Sequence, residues 1–333
     1  EGHSAGPGDP ADETGGLTMQ LRLAAVAACL MAGASAACAQ TTGPGEPNAF
    51  PVLETERAAD IWSPEAMAAA SDVELPNINP ADIPPSGGER AGAAAFEESD
   101  PAEQSAEAGA GDERGSGNVN RAPLHWSGRL FFTKTNGARY RCSAQFISPT
   151  VLVTAAHCVR DNASGLYYGN VVFALGYRNG SYRQLYRPTC VWTYNGWVQE
   201  GFARYRYDYA FIKIGERSRT GHWGASWNWD GRYNSATKTG YPAGILNGEV
   251  IQVDRGPIVL QSGIVEMRHG NPADQHGSSG GAWIGKYSST IAKNNYVISV
   301  ESFGYDSKPG HSYGPYMDDV ARRLRKLADG PCN

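Results

Sequence analysis

The stretch HGSSGGAW, residues 276–283, presents one serine, Ser279, between glycines in a tight turn. Glycines on both sides let the backbone adopt positive φ angles and approach a bound carbonyl group closely. A serine hydroxyl is a weak nucleophile at neutral pH, so it needs a base beside it and an acid that orients the base. The stretch therefore predicts that a histidine and an aspartate from elsewhere in the chain serve the same site.

Two upstream segments offer these partners. LVTAAHC, residues 152–158, carries His157, and DYAFI, residues 208–212, carries Asp208 at the start of an apolar run. The chemistry assigns Ser279 as the nucleophile, His157 as the general base and Asp208 as the acid that holds the imidazole tautomer. These three residues are the predicted catalytic group.

The region from Arg121 onward has the sequence pattern of a β protein. Short apolar runs rich in Tyr, Trp, Val and Ile alternate with Gly, Asn and Pro, for example at 128–133, 151–154 and 296–300. Many short strands with regular turn signals and few helical periods predict an all-β barrel or sandwich. Residues 121–333 are long enough for two small barrels.

Four segments resemble the trypsin/chymotrypsin-like serine peptidases: the histidine region (CSAQFI at 142–147 and VLVTAAHC at 151–158), DYAFI at 208–212, TGYP at 239–242 and GSSGG at 277–281. Within them, the match is most similar to the bacterial branch that includes glutamyl endopeptidases. The four matching segments follow the family's order over residues 121–333. The resemblance implies an all-β fold of two six-stranded antiparallel β-barrels with a C-terminal α-helix. The barrels are expected over 121–235 and 236–314, and the helix and tail over 315–333.

The resemblance also implies an activity. The chain is expected to be a secreted serine endopeptidase that cuts peptide bonds through an acyl-enzyme intermediate, with no cofactor and no metal. Polypeptides are its expected substrates, and we expect no nucleic-acid partner and a monomeric state. A catalytically inactive, peptidase-like binding protein is the alternative from another functional class.

Further site residues follow from the same resemblance. Backbone N–H groups of Gly277 and Ser279 are expected to form an oxyanion hole. The segment Ser302, Phe303 and Gly304 is expected to pair with an extended substrate by strand addition, and Ser302 to hydrogen-bond Asp208. His276 is interpreted as a wall of the substrate cleft.

Substrate preference is predicted from the residues around the expected pocket. Glutamyl endopeptidases carry a hydroxyl residue five positions before the nucleophile and a histidine on the facing strand, where this chain has Asp274 and Glu301. Two carboxylates repel a substrate Glu and attract Arg or Lys. We therefore expect a preference for basic residues before the scissile bond.

Four of the six cysteines lie outside the leader region, at Cys142, Cys158, Cys190 and Cys332. An even number in an exported chain predicts disulfides, and the residues alone leave three pairings open. The resemblance implies a Cys142–Cys158 bridge beside the histidine, which leaves Cys190 to pair with Cys332.

The N-terminal part predicts export. Residues 1–18 are polar and read as upstream translated sequence or an expression remnant, whereas 19–39 have the charged, apolar and small-residue order of a signal peptide. The protein is therefore expected to be secreted or periplasmic, without membrane attachment once the leader is removed. A lipoprotein leader cut before Cys38 is the open alternative. It would attach the protein to a membrane by a lipid and would change only its location.

Residues 40–120 form an acidic low-complexity segment. It holds sixteen Asp or Glu against three Arg, whereas residues 121–333 hold twenty-five Lys or Arg against fourteen acids. Such a composition predicts a largely disordered prosegment, with one short helix that starts at Ser63 and contains Met67 to Ala70. Because the segment is negatively charged, we expect it to cover the basic catalytic region before cleavage. A solvated linker is the alternative.

Activation is expected to differ from that of trypsin-like zymogens. Those zymogens have an Asp before the nucleophile that receives the freed N-terminal ammonium, whereas this chain has Ser278. We therefore expect that removal of residues 40 to about 120 uncovers the cleft rather than building it.

The C-terminal residues show a helical period. Met317, Val320, Leu324 and Leu327 recur at three- and four-residue steps after Pro315. This spacing predicts a helix with one apolar face that packs against the rest of the protein, and Gly330-Pro331 as its end.

Overall fold

The computed structural model describes residues 2, 45–52, 61–74, 78, 82, 95–101, 114–274, 276, 278–290 and 294–332. The chain divides into two compact units, Glu1–Thr41 and Thr42–Asn333. The second unit carries all the elements that follow. The predicted leader, with Cys38, and all of residues 1–18 except Gly2 lie outside the described residues.

The described residues form strands and two short α-helices. The strands are β1 Pro47–Pro51, β2 Ser71–Asp72, β3 Glu97–Ser99, β4 Gly115–Ser116, β5 Ser127–Thr133, β6 Arg139–Ser148, β7 Val151–Thr154, β8 Gly169–Leu175, β9 Gln184–Tyr186, β10 Pro188–Tyr194, β11 Ala210–Ile214, β12 Gly224–Trp227, β13 Ser235–Gly240, β14 Gln252–Gln261, β15 Ile264–Arg268, β16 Ala282–Gly285, β17 Tyr296–Val300 and β18 His311–Pro315. The helices are α1 Pro64–Ala68 and α2 Asp319–Asp329. The mostly β architecture and the C-terminal helix agree with the sequence prediction.

The strands form two barrel-like sheets. In the first, the order is β1-β10-β11-β7-β6-β5-β8-β9, with β2 added to β6. In the second, the order is β18-β15-β14-β13-β16-β17-β12-β3, with β4 added to β14. Neighbouring strands are antiparallel, except that β2 runs parallel to β6 and β12 parallel to β17. Among the described residues each sheet thus has nine strands, two of which come from the segment before residue 120.

The sheets also divide the chain earlier than the predicted boundary at residue 235. The last strand of the first sheet, β11, ends at Ile214, and β12 already pairs with β17 in the second sheet. The sequence missed this because Gly224–Trp227 is a four-residue strand whose partner lies about seventy residues downstream. Such a short apolar run can be assigned to one of the two sheets only when its pairing strand is known.

The interior of the first sheet is filled by aromatic side chains. The ring of Phe146 meets those of Phe173 and Tyr186 edge-on at 5.5 and 5.1 Å between centroids, and all three side chains are fully buried. Each such burial contributes about 1.5–3 kcal/mol relative to an exposed side chain. This packing gives the elements that carry the site a rigid support.

Helix α2 closes the chain against strands β10 and β11. The carboxylate of Asp318 caps it by accepting from the N–H groups of Val320 and Ala321. The predicted face is wrong in one position, because Leu327 is 41% exposed while Met317, Ala321, Leu324 and Ala328 are buried. The small alanines turn toward the sheet because they let the helix backbone approach it closely.

The part of the chain that the structure describes contains two disulfides, Cys142–Cys158 and Cys190–Cys332. The second joins β10 to the residues that follow α2 and closes 142 residues of chain. A bridge of this kind typically stabilises a protein by about 2–4 kcal/mol, chiefly by restricting the unfolded chain.

We predict that the double variant Cys190→Ala/Cys332→Ala loses about 2–4 kcal/mol of unfolding free energy. Urea unfolding followed by tryptophan fluorescence measures the loss. The matched control is Asp318→Ala, which also loosens α2 but removes only a helix cap worth about 1 kcal/mol. A double variant no less stable than this control would contradict the tethering role of the bridge.

The described parts of residues 40–120 lie on the catalytic region. The predicted short helix is confirmed as α1, where Ser63 Oγ accepts from Ala66 N at 3.2 Å and Met67 is buried. The carboxylate of Asp72 pairs with Arg129 at 2.7 Å. Many of the residues that were predicted to be disordered lie outside the described ranges. The described stretches of this segment pack on the catalytic region.

Candidate active site

His157 lies directly after the buried strand β7. It is in a 3-10 turn, Ala156–Cys158, and its Cys158 is bonded to Cys142 on the neighbouring strand β6. The strand's four residues are all buried, so the turn starts from a fixed point. The disulfide ties the end of the turn to the same sheet, which fixes where the imidazole lies.

Asp208 reaches the same place from the neighbouring strand. It ends the 3-10 turn Phe202–Tyr207 and lies just before β11, which pairs with β7 so that Ala210 faces Thr154. The antiparallel register places residues before β11 beside residues after β7. His157 and Asp208 are therefore brought together although fifty-one residues separate them in sequence.

The carboxylate of Asp208 is held by three donors. His157 Nδ1 lies 2.7 Å from Oδ2, the His157 backbone N–H donates to Oδ1 at 2.9 Å, and Ser302 Oγ also donates to Oδ2. Asp208 is fully buried. Because the carboxylate accepts the Nδ1 proton, Nε2 of the ring is left as the basic nitrogen. This arrangement can remove a proton from a hydroxyl group placed at Nε2.

Ser279 lies in the loop between the 3-10 turn Pro272–Asp274 and strand β16. Ser143 N donates to Ser279 O at 2.7 Å, and Gly280 N donates to Glu301 O at 2.9 Å, so both flanks of the loop are fixed. Gly280 has a φ of 76°, and a Cβ there would lie 2.1 Å from Thr154 Oγ1. Only glycine fits this position, which explains the glycine after the serine.

Ser279 and His157 are both covered. Their exposed fractions are 0% and 7%, and Ser279 Oγ and His157 Nε2 are buried without a hydrogen-bonding partner among the described residues. Buried polar atoms nearly always have partners, so two orphaned atoms of complementary chemistry mark a functional site. Hydrogen bonds between nucleophile and base are often loose in a resting site and tighten when substrate binds.

The other predicted site residues divide into buried and exposed ones. Ser302, Phe303 and Gly304 are buried, and Ser302 donates to the Asp208 carboxylate, whereas the side chain of His276 is 54% exposed. Its Nε2 lies 4.0 Å from Asp306, at the surface. Gly277, the expected second oxyanion donor, lies outside the described residues.

Asp274 and Glu301 share a buried cation that the sequence analysis missed. Lys238 Nζ lies 3.0 Å from Glu301 Oε2 and 3.5 Å from Asp274 Oδ1, and it donates to Asp274 O and Ser312 Oγ. Lys238 and both acids are at most 2% exposed. Trp283 Nε1 donates to Glu301 Oε2 as well, while Glu301 Oε1 has no partner among the described residues.

Burial and charge act in opposite directions in this cluster. Burial opposes the charge on Lys238, yet the carboxylates of Asp274 and Glu301 raise its pKa above the usual value. Burial raises the pKa of Asp274 to about 7 in spite of the lysine. Burial also lowers the pKa of the neighbouring His269, which favours its neutral form. Near neutral pH the cluster therefore holds a charged Lys238 beside an Asp274 carboxyl group that is partly protonated.

One group of side chains here has the spacing of metal ligands. Asp254, His269 and Asp274 each offer an atom within 4.8 Å of the others. However, Arg114 Nε lies 3.3 Å from Asp254, and Lys238 Nζ lies 3.5 Å from Asp274. Fixed cations already compensate both carboxylates, so these residues fit a buried ion-pair network better than a metal centre.

An aromatic cluster lies beside the predicted substrate segment. Phe303 stacks on Tyr313 at 5.1 Å and meets Tyr205 at 4.8 Å between ring centroids. The aromatic cluster consists of Trp197, Tyr205, Phe303, Tyr305 and Tyr313. The ring centroids of Trp197 and His157 lie 6.2 Å apart, so the cluster borders the imidazole. It forms an apolar wall along one side of the site.

Comparisons with known proteins agree with the two-sheet fold. The protein-family model described as Trypsin matches residues 114–321. Among solved structures, the protease Anisep from Arthrobacter nicotinovorans is 26% identical with a TM-score of 0.55, and the alignment covers 65% of this chain and 99% of that one. A Glu endopeptidase is 18% identical with a TM-score of 0.51, covering 65% and 98%. A search of curated proteins finds no significant match to this sequence.

Proposed function

The chain belongs to the trypsin family and is a serine endopeptidase, and we propose that it acts through Ser279, His157 and Asp208 as a catalytic triad. The observation that carries the proposal is the 2.7 Å contact between His157 Nδ1 and Asp208 Oδ2, which directs the basic nitrogen away from the acid. The buried, unpartnered Ser279 Oγ and His157 Nε2 support it.

The proposed reaction has two halves. Ser279 Oγ attacks the scissile carbonyl while His157 Nε2 takes its proton, and the protonated imidazole then gives that proton to the leaving amine. Asp208 stabilises the imidazolium, and water hydrolyses the acyl-enzyme by the same route in reverse. Backbone N–H groups of Gly277 and Ser279 are the proposed oxyanion hole, where one donor typically contributes about 3–4 kcal/mol to transition-state binding.

The site is proposed to be assembled before the prosegment leaves. In trypsin-like zymogens a new N-terminal ammonium completes the pocket, but this chain has Ser278 at the receiving position. Lys238 is a cation already built into β13, and it pairs with Asp274 and Glu301 next to the nucleophile loop. Processing then needs only to uncover the cleft.

We propose a preference for Arg or Lys before the scissile bond. Asp274 and Glu301 carry two carboxylates against one lysine, so one negative charge remains when both are ionised. Glu301 Oε1 is buried and has no partner among the described residues, which leaves it as an acceptor for a substrate cation. A buried carboxylate oxygen that has no hydrogen-bond donor favours a positively charged ligand, although the other oxygen of Glu301 is already held by Lys238 and Trp283.

This preference is predicted to depend on pH. Because burial raises the pKa of Asp274 to about 7, its carboxyl group is neutral below pH 7 and charged above it. We expect the ratio of kcat/KM for an Arg substrate to that for its Leu analogue to rise roughly tenfold between pH 6 and pH 8. Dividing one kcat/KM by the other removes the pH effects on the catalytic step that both substrates share.

Asp274→Asn is the matched control for the pH dependence. The amide keeps the shape of the side chain and cannot ionise, so the ratio is expected to stay flat over the same range. A wild-type ratio that does not change with pH, or one that falls, would show that Asp274 does not set the charge of the pocket.

Export as a precursor is part of the proposal. The sequence of residues 19–39 and the two disulfides support a secreted or periplasmic location, because disulfides persist in oxidising compartments. Among the described residues, none of the helices has the length and apolar content to span a bilayer. The proposed partners are polypeptide substrates and the chain's own acidic prosegment.

A fluorophosphonate probe tests the triad directly. Processed protein is expected to be labelled at Ser279, as identified by peptide mass spectrometry, and to hydrolyse a denatured protein mixture mainly after Arg and Lys. Ser279→Ala is expected to abolish labelling, whereas Ser278→Ala, the adjacent serine, retains it. Labelling at another residue would refute the triad, and cuts after Glu or large aromatic residues would refute the basic preference alone.

A further inference from the structure

Residues 61–74, which we call the anchor segment, are docked on the first sheet. Trp62, Met67 and Val73 are 1%, 0% and 6% exposed, and all three belong to the larger hydrophobic core. Trp62 packs on Phe131 of β5 with 5.3 Å between ring centroids, and its Nε1 donates to Asn170 O at 2.6 Å. Burial of this extent is typical of a docked element and not of a solvated linker.

Two arginines of the first sheet hold the end of the anchor segment. Arg129 of β5 lies opposite Ser143 of β6, and Arg141 lies two residues before Ser143, so the register places both arginines on one face of the sheet. Asp72 Oδ1 accepts from Arg129 Nη2 at 2.7 Å and from Arg141 Nε at 3.1 Å, and Asp72 Oδ2 accepts from Arg141 Nη2 at 2.8 Å. Arg129 and Arg141 therefore form a site for a carboxylate, which we call the carboxylate site.

Without Asp72, the carboxylate site would hold a buried cation that has no ion-pair partner. Arg129 is fully buried, and Asp72 is its only ion-pair partner among the described residues. Its Nε and Nη1 have no hydrogen-bond partner in the same part of the chain, whereas Nη2 donates to Asp72 and to Tyr241 O. Glu249, the other acid at this site, pairs with Arg141. Loss of one partner from a buried ion pair is strongly destabilising, because the remaining charge is left without compensation.

Hydrogen bonds connect the carboxylate site to the nucleophile loop. Arg129 Nη2 donates to Tyr241 O at 3.0 Å, and Tyr241 N donates to Ser143 Oγ at 3.1 Å. Ser143 N in turn donates to Ser279 O at 2.7 Å. The segment that compensates Arg129 therefore supports the backbone that positions Ser279, and its loss would disturb the site that processing is proposed to uncover.

We propose that the anchor segment stays bound after the chain is cut, as a non-covalent part of the processed enzyme, with Asp72 as the ligand of the carboxylate site. The part of residues 40–120 that processing releases then excludes residues 61–74. The inference rests on the proposed function, since only a processed precursor has a segment to retain. It adds to that function a second polypeptide in the active enzyme and the residue that binds it.

Controlled cutting of the full chain tests the retention. Recognition sequences for a sequence-specific endopeptidase are inserted between Thr55 and Glu56 and between Gly87 and Gly88, in a Ser279→Ala background that prevents self-digestion. After both cuts, the fragment that carries residues 61–74 is expected to co-elute with the catalytic region in size-exclusion chromatography, in equimolar amount by mass spectrometry, and to separate in denaturant. Separation of the fragment under native conditions overturns the proposal.

Asp72→Asn tests the carboxylate site in the same cut protein, because the amide keeps the shape of the side chain and removes its charge. The fragment is expected to leave about 100-fold faster than in the unchanged sequence, as measured by size-exclusion chromatography at intervals after dilution. The matched control is Glu74→Gln, which removes an equal charge from an exposed position of the same segment and is expected to change the rate less than about fivefold. Equal release rates for the two variants overturn the assignment of Asp72.

The naturally processed enzyme provides an independent test. It is treated with a fluorophosphonate, purified under native conditions, and then analysed in denaturant by mass spectrometry. Residues 61–74 are expected in equimolar amount with the chain labelled at Ser279, and labelled enzyme that lacks them overturns the proposal. Retention of residues 61–74 by a protein that is not labelled would support the retention and refute the proposed function, so the two failures are distinguishable.

Discussion

Asp208→Asn is expected to lower kcat by about 10⁴-fold while leaving the fold intact. The amide matches the carboxylate in shape, and its oxygen can still accept from the His157 backbone N–H, which donates to Asp208 Oδ1 at 2.9 Å. Its NH₂ group then faces His157 Nδ1, so that Nδ1 must accept and Nε2 must carry the proton. This tautomer cannot take a proton from Ser279, and the base is lost without any loss of packing.

Ser302→Ala is the matched comparison, because it removes another hydrogen bond to the same carboxylate. The Asp208 oxygen that contacts His157 loses one donor, but the imidazole keeps its correct tautomer. A charge-assisted hydrogen bond is worth about 1.5–3 kcal/mol, which corresponds to roughly 10–100-fold in kcat. Steady-state kinetics on one peptide substrate measures both variants. Losses of similar size would contradict the tautomer argument.

Lys238→Met is expected to lower the free energy of unfolding by about 3–5 kcal/mol. The side chain is 2% exposed and lies between the carboxylates of Asp274 and Glu301. Removal of the cation leaves two buried acids together, and at least one must take up a proton or open the site to water. Urea unfolding in a Ser279→Ala background measures the loss without self-digestion.

Lys286→Met provides the control for Lys238→Met. Its ammonium group also pairs with a carboxylate, 3.6 Å from Glu98, but its side chain is 52% exposed. An exposed pair of this kind contributes about 0–1 kcal/mol. Equal losses in the two variants would mean that burial does not govern the energetics of the pocket lysine.

The three residues of the proposed triad could be selected from the sequence because each lies in a local pattern. His157 follows a short buried strand, Asp208 precedes one, and Ser279 is surrounded by glycines, one of which has a φ of 76°. The two-sheet fold followed from short strands and turn residues. The geometry that unites the triad comes from the pairing of β11 with β7, which no local pattern specifies.

The burial of Lys238 and the docking of residues 61–74 were not predicted, and the physical reason is the same for both. The lysine lies in a strand of ordinary composition, and its burial depends on acids that are 36 and 63 positions away in sequence. Trp62 and Val73 are isolated apolar residues in a polar segment, and only their contacts with β6 and its neighbours give them a role. Long-range charge compensation and docking leave no periodic signal in the chain.

Arg114 has a consequence for the finished enzyme. Its guanidinium group donates to the backbone oxygens of His269 and Arg255 and pairs with Asp254, and the residues after it form β4 on the second sheet. Arg114 and β4 therefore attach the chain upstream of residue 121 to the second sheet. In the proposed maturation, a cut that removes β3 and keeps this attachment falls between residues 99 and 114, earlier than the boundary near residue 120 that the composition predicts.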